Sequence, residues 1–206
     1  IIAAAKVSSM IAHDLRGPLQ TIKNTTYLIR KKPDNAESYL KYIDQAVTLS
    51  NKLLEEFKDQ TKRTPLKVTE FSLREIIEDV LLPVEVNPKI RAETEIQDVL
   101  IQGDSFKLKR ALQNIVKNAI EAMNDGGTLG INVESSGDEV IIQVSDTGVG
   151  IPEERIGEIF KPFQSTKSNG IGLGMLFIKN VVDSHGGTIE VSSVVGEGTC
   201  FTITLP

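Results

Sequence analysis

One cysteine, Cys200, occurs in 206 residues. A single thiol excludes an intrachain disulfide framework and fits a reducing compartment, and Cys200 reads as a small side chain buried in the last strand. No apolar run approaches the roughly 18 residues that a membrane-spanning helix needs, so no membrane contact is expected from this stretch. The opening stretch IIAAAKVSSMIAHDLRG breaks into charge too early for a signal peptide. Positive charge is not in excess: 23 Lys and Arg stand against 28 Asp and Glu, for a net charge of -5 and a pI near 5.2. That balance removes the broad basic face with which a protein holds nucleic acid. What remains is ordinary globular composition, 40% hydrophobic and 25% charged, as expected of a cytoplasmic chain with one or two domains.

Up to residue 62 the only glycine is Gly17, and the segment reads as helix. At about 100° per residue, Ile11, Leu15, Pro18, Ile22, Thr25 and Ile29 fall on one line. Lys31-Lys32-Pro33-Asp34-Asn35 stops and restarts the helix: cations in a last turn, then proline and capping residues. Leu40, Ile43, Val47, Ser50, Leu54 and Phe57 continue the alternation on a second helix. Two helices and a short turn make an antiparallel hairpin whose apolar stripe stays wet. A second copy, giving a four-helix bundle in a homodimer, is the expected remedy.

The pattern changes at Thr64-Pro65-Leu66, where proline disfavours helix in the residue before it. Two domains are therefore expected, 1–63 and 64–206. In the second, helices over Phe71 to Leu82 (capped by Ser72), Ser105 to Met123 and Gly172 to Ser184 alternate with strands. The strands are expected at Ile90 to Ile96, Val99 to Ile101, Thr128 to Glu134, Glu139 to Ser145, Thr188 to Ser192 and Thr199 to Leu205. The fold class is α+β: a helical hairpin followed by a sandwich of helices on a mixed, largely antiparallel sheet. Residues 161–171 form a long loop without apolar period, a kind that is usually functional.

Three constellations carry chemistry. His13 lies two residues from Ile11 and from Leu15, so it points about 200° away from the stripe. Asp14 beside it can hold one ring nitrogen protonated and leave the other to attack. From these residues alone, a nucleophile and a plain surface histidine both remain open. Asp146-Thr147-Gly148-Val149-Gly150-Ile151 follows a strand; its glycines let backbone approach a flat ligand, and its aspartate can accept from an exocyclic amine such as adenine's. Alone the pattern also fits an ordinary turn, but not a calcium loop, since Val149 and Ile151 stand where carboxylates would. Thr166 to Gly174, containing Lys167, Gly170, Gly172, Leu173 and Gly174, runs into a helix N-terminus, where amides, a positive dipole end and a lysine suit phosphate. It has neither P-loop nor dinucleotide-fingerprint spacing. Asn114 and Asn118 lie one turn apart; their amide oxygens suit Mg²⁺, although a capping or solvent role fits as well.

Taken in order, these segments resemble the catalytic core of the sensor histidine kinases. His13 to Pro18 looks like that family's H-box, Asn114 to Ala119 its N-box, and Asp146 to Gly150 its G1 box. Ile159 to Phe163 resembles the F-box, Gly170 to Gly174 the G2 box, and Gly196 to Thr199 the terminal glycine-threonine motif. The resemblance implies a Bergerat-type ATP fold with ATP and Mg²⁺ as ligands. It implies Asp146, Thr199 and Ile151 around adenine, Asn118 on the metal, and 161–174 as an ATP lid with Lys167 and the Gly172–Gly174 amides on phosphate. His13 would be phosphorylated with Asp14 as general base or orienting partner, then pass the group to an aspartate of a response-regulator receiver domain. Asn114 stands where related ATPases of this fold carry a water-activating glutamate, which favours kinase over hydrolase. Family members with phosphatase activity usually carry Thr or Asn where this chain has Gly17, so that activity is expected to be weak. Gly17-Pro18 should also loosen the helix beside His13, since each disfavours a helix interior. His185, before Gly186-Gly187, reads as a structural helix end favouring a cation. The alternatives are a silent nucleotide-binding dimeric scaffold and a non-kinase ATPase of the same fold. The chain is expected to be the cytoplasmic part of a longer, membrane-attached sensor.

Overall fold

The computed structural model describes residues 2–61, 65–85, 87–162, 164 and 172–206. The side chains of 2–14, 52, 53, 55–61 and 85 lie outside that description. The chain divides into two compact units, Ile1–Thr64 and Pro65–Pro206.

The first unit is two packed helices, α1 (Ile2–Lys31) and α2 (Ala36–Thr61), joined by a 3-10 turn over Pro33–Asn35. Pro33 starts the turn where its missing N–H costs nothing, and Ser38 Oγ donates to the Asn35 carbonyl at 2.8 Å. On α1 the described part of the expected stripe holds: Pro18 and Thr25 are buried and Leu15, Ile22 and Ile29 half-buried, while the side chain of Ile11 lies outside that description. On α2 it holds in part, at Ile43 and Ser50, and the side chain of Phe57 lies outside that description. Ala46 is buried and Tyr39, Ile43 and Ser50 half-buried, while Leu40, Val47 and Leu54 face outward. Leu40, Val47 and Leu54, seven residues apart, are left as a separate apolar ridge. α1 runs as helix through both Gly17 and Pro18.

The second unit opens with β1 (Thr69–Ser72), α3 (Leu73–Glu85), β2 (Ile90–Ile96), β3 (Leu100–Gly103) and α4 (Ser105–Ala122). It continues with β4 (Gly127–Ser136), β5 (Glu139–Asp146), α5 (Glu153–Ile156), α6 (Gly174–Ser184), β6 (Thr188–Val194) and β7 (Gly198–Leu205). The main sheet runs β2-β4-β5-β7-β6; β2 is parallel to β4 and the other pairs are antiparallel. β1 and β3 form a separate two-stranded antiparallel sheet. Period-two burial along β4, β5 and β7 turns Leu129, Ile131, Val133, Ile142, Val144, Phe201 and Ile203 into one core, with α3, α4 and α6 supplying Ile77, Val80, Leu108, Ile115, Ile178 and Val182.

Among the boundaries that differ from expectation, two have evident local reasons. Phe71 pairs in β1, so α3 begins at Leu73, where Ser72 Oγ caps the Glu75 amide at 3.5 Å; the helix then runs through Pro83. Gly172 takes φ +71°, outside helical geometry, and α6 starts two residues later. No helix among the described residues is long and apolar enough to cross a membrane.

Candidate active site

Asp146 ends β5 between the central strands and is buried. Burial pushes its carboxyl above the usual carboxylate value, while the backbone amides of Gly148 and Thr199 pull the other way without cancelling the rise. The Gly148 amide donates to Oδ1 at 2.8 Å, and Thr199 lies directly across the β5–β7 ladder. The backbone leaves no space for side chains here. Gly198 sits at φ +131° against the Asp146 carbonyl, and Gly150 at φ +70° against the Val194 carbonyl, so each accepts only glycine. The Val149 amide donates to the Ala122 carbonyl at 3.2 Å and its own carbonyl accepts from Gly196, which clamps the turn between α4 and the β6–β7 connection.

Ser193, which the sequence reading passed over, joins the pieces. Its hydroxyl accepts from the Ile151 amide at 2.8 Å, donates to the Gly198 carbonyl at 2.8 Å and lies 2.9 Å from Thr199 Oγ1. Its place opposite Thr199 in the β6–β7 ladder would have pointed to it, but that register is not written in local sequence. Asp146, Gly148, Gly150, Ile151 and Thr199 therefore form one cluster.

The second cluster lies on α4. Asn114 and Asn118 are half-buried one turn apart and meet the start of α6. Asn114 Nδ2 donates to the Arg110 carbonyl at 3.0 Å, and Oδ1 stands 3.6 Å from where a Gly174 side chain would begin. Asn118 Nδ2 approaches Met175 Sδ at 3.4 Å. The Arg110 guanidinium lies 5.0 Å over the Phe177 ring, tying α4 to α6 a turn further along. Glu121 pairs with Lys117 at 3.9 Å. No group of three or more His, Cys, Asp or Glu able to hold a metal occurs among the described residues. A cation here would rest on amide oxygens, phosphate and water, a ligand set that suits Mg²⁺. Gly172 and Leu173 lead into α6, and Gly174 is its first residue. Phe163, Lys167 and Gly170 lie outside the described residues, as do the side chains of His13 and Asp14, which the chain places on α1.

A third feature braces α4. Its N-cap Asp104 accepts from the Lys107 amide at 3.1 Å through Oδ1 and from the Lys67 amide at 3.0 Å through Oδ2. The Asp104 amide donates to His185 Nε2 at 2.9 Å, while His185 Nδ1 lies 2.7 Å from the Val181 carbonyl. A ring that accepts at Nε2 and donates at Nδ1 is neutral. His185 is thus structural, as expected, but not as the cation the helix end suggested. For Asp104, burial alone would raise the carboxyl, but the two backbone amides and the Lys107 charge help to bring it below the usual value.

A five-stranded mixed sheet with helices on one face and a glycine-walled acidic site at its end defines a nucleotide-binding ATPase class. The profile of the histidine kinase-, DNA gyrase B-, and HSP90-like ATPases matches residues 103–206. Sporulation kinase A of Bacillus subtilis is 34% identical over 98% of this chain and 34% of its own length. Sensor histidine kinase ZraS of Salmonella typhimurium is 32% identical over 100% of this chain and 46% of its own. The chain thus spans about a third to a half of the length of these curated relatives. The solved catalytic domain of histidine kinase ThkA matches with a TM-score of 0.62 at 34% identity, over 68% of this chain and 95% of that one. ThkA in complex with response regulator protein TrrA matches with a TM-score of 0.78 at 30% identity, over 98% and 61%. The chain belongs to this ATPase family as a sensor histidine kinase.

Proposed function

We propose that the chain is an autophosphorylating core: residues 1–63 dimerise and carry the phosphoacceptor His13, and residues 64–206 bind ATP and deliver its γ-phosphoryl group. The observation that carries this reading is Asp146, a buried carboxylate held by backbone amides beside glycines that admit a flat ligand to contact. Asp146 accepts the adenine amine, with Thr199 and Ile151 flanking it. Asn118 offers an amide oxygen to Mg²⁺, which when bound neutralises charge on the phosphates. Lys167, Gly170, Gly172, Leu173 and Gly174 serve the phosphates, the last three at a helix start where amides face an anion.

In the transfer, a ring nitrogen of His13 forms the N–P bond as the bond from phosphorus to the β-γ bridging oxygen breaks and ADP leaves with that electron pair. Asp14 takes or orients the proton on the other nitrogen. The phosphohistidine then passes its group to an aspartate of a response-regulator receiver domain, a partner supported by the ThkA–TrrA complex. Asn114 supports a kinase rather than a hydrolase, because an amide whose NH₂ is committed to the Arg110 carbonyl cannot accept a proton from water. The homodimer is supported by the hairpin's outward apolar residues, Leu19, Tyr27, Leu28, Leu40, Val47 and Leu54, which a second copy would cover. Soluble action at the cytoplasmic end of a longer sensor fits the acidic, disulfide-free sequence.

The test is incubation of the chain and of its His13→Gln variant with γ-labelled ATP and Mg²⁺. Acid-labile protein label in the first and none in the second is the expected result. Label that survives the substitution, or steady phosphate release without label, would overturn the assignment.

A further inference from the structure

A hydroxyl has one proton, so a serine that donates to one group must accept from every other partner it meets. Ser193, half-buried on β6, gives its proton to the Gly198 carbonyl at 2.8 Å, because a carbonyl oxygen can only accept. The Ile151 amide donates to the same serine oxygen at 2.8 Å. The remaining contact, 2.9 Å to Thr199 Oγ1, therefore has one polarity: the Thr199 hydroxyl donates and Ser193 accepts.

Strand register puts this exchange beside the acidic site. Asp146 stands opposite Thr199 in the β5–β7 ladder, and Thr199 stands opposite Ser193 in the β6–β7 ladder. Residues opposite one another in an antiparallel pair share a face of the sheet, so the three side chains form one row. Asp146 and Thr199 are both buried. With its proton held by Ser193, Thr199 Oγ1 is left with lone pairs only, next to a carboxylate that also only accepts.

We propose that Ser193 is a positioning residue for base selection: it fixes the Thr199 hydroxyl as an acceptor, so that the site takes a purine amino group and rejects a ring carbonyl. This rests on the ATP reading above. An exocyclic amine brings two N–H donors to the two acceptors. A carbonyl oxygen at the same ring position brings none, and a Thr199 hydroxyl free to rotate could turn its proton toward it. Asp146 supplies the charge in this recognition, and Ser193 withholds the Thr199 proton that would otherwise accommodate the carbonyl.

The experiment measures binding of ADP, and of inosine diphosphate with its carbonyl in place of the amine, to the 206-residue chain with Mg²⁺. Diphosphates keep phosphoryl transfer out of the readout. Wild type is compared with Ser193→Ala, Ser193→Thr, Thr199→Val and the double variant S193A/T199V. The preference for ADP should fall about fivefold in S193A, the scale of one neutral hydrogen bond, and return in S193T, which keeps the hydroxyl. In the T199V background, S193A should change the preference by less than about twofold, because no hydroxyl remains to turn. Equal weakening of both diphosphates in S193A, or the same loss of preference with and without the Thr199 hydroxyl, would show a purely structural role and overturn the proposal. S193A also strands the Ile151 amide and the Gly198 carbonyl, so a second readout uses wild type alone. In the ligand-free chain the Thr199 hydroxyl proton should give a slowly exchanging NMR signal with a nuclear Overhauser contact to the Ser193 β-protons. A Thr199 hydroxyl in fast exchange with water refutes the fixed orientation. If wild type binds neither diphosphate, the ATP reading and the base selection fall together, and the hydroxyl signal tells that failure from a wrong orientation.

Discussion

Replacing Asp146 with asparagine changes one buried acceptor oxygen into a donor and little else. The carboxylate serves two backbone amides, from Gly148 at 2.8 Å and from Thr199. In Asp146→Asn the single carbonyl oxygen is claimed by those amides, and the new NH₂ is left facing the cleft, where the adenine amine also brings a donor. A hydrogen bond to a charged acceptor is worth roughly 1.5–3 kcal/mol, so ATP affinity should fall by about 10- to 150-fold. GTP carries an oxygen at the same ring position and should gain affinity, so the ATP/GTP preference should collapse by a larger factor than either affinity changes. Displacement of a fluorescent nucleotide by ATP and by GTP measures both. Stability should not fall with affinity. A carboxyl raised by burial makes the native state bind more protons than the unfolded chain just above pH 3.8, so its ionisation costs stability as pH rises through that window. The amide removes this cost, and urea unfolding near pH 7 should show D146N at least as stable as wild type. ATP affinity within threefold of wild type, with preference over GTP intact, would refute the adenine assignment.

Asp104 has the opposite sign: its depressed carboxyl contributes stability above pH 3.8 that is lost as pH falls through its native value, so the stability gap between wild type and Asp104→Asn should narrow on acidification, read by urea midpoints across pH. His185→Ala leaves the Asp104 amide without its acceptor and should cost about 1–3 kcal/mol, with His185→Gln recovering part of it, in the same assay. Gly150→Ala forces a Cβ into the Val194 carbonyl at φ +70° and should cost at least ~2 kcal/mol by thermal or urea unfolding. Gly17→Thr meets no atom within 4 Å of its new Cβ and should fit, so it should raise hydrolysis of a phosphorylated response regulator without impairing the fold, checked by phosphate release.

Strongly periodic elements were legible in the sequence. β2 spans Ile90–Ile96 as its alternation indicates, and α4 starts at Ser105 as expected. Asp146 and the glycines stand together because close approach leaves few residue choices. Features set by distant partners were not legible. On α2 the apolar pattern marked Ile43 and Ser50 but did not separate the buried Ala46 and half-buried Tyr39 from the exposed Leu40, Val47 and Leu54, because the face that meets α1 is set by the partner helix. His185 and Asp104 are 81 positions apart, and a histidine at a helix end looks the same whether it is a cation or the acceptor for a remote amide. Ser193 has no local signal either; it meets residues brought to it by strand register.

These long-range contacts converge on α4. Its N-cap takes the Lys67 amide and receives the His185 brace from the end of α6; its middle turns carry Asn114 and Asn118; its last carbonyl, Ala122, takes the Val149 amide of the glycine turn. One rigid helix therefore sets the spacing between the acidic cluster and the amide oxygens, and a shift along its axis would disturb both. The same helix limits the chemistry. It offers amide oxygens where a proton acceptor would activate water, and its next acid, Glu121, is engaged by Lys117 at 3.9 Å. Under the proposed function, a nucleotide held against such a helix would keep its phosphoryl group until a nucleophile arrived from elsewhere, the role proposed for His13.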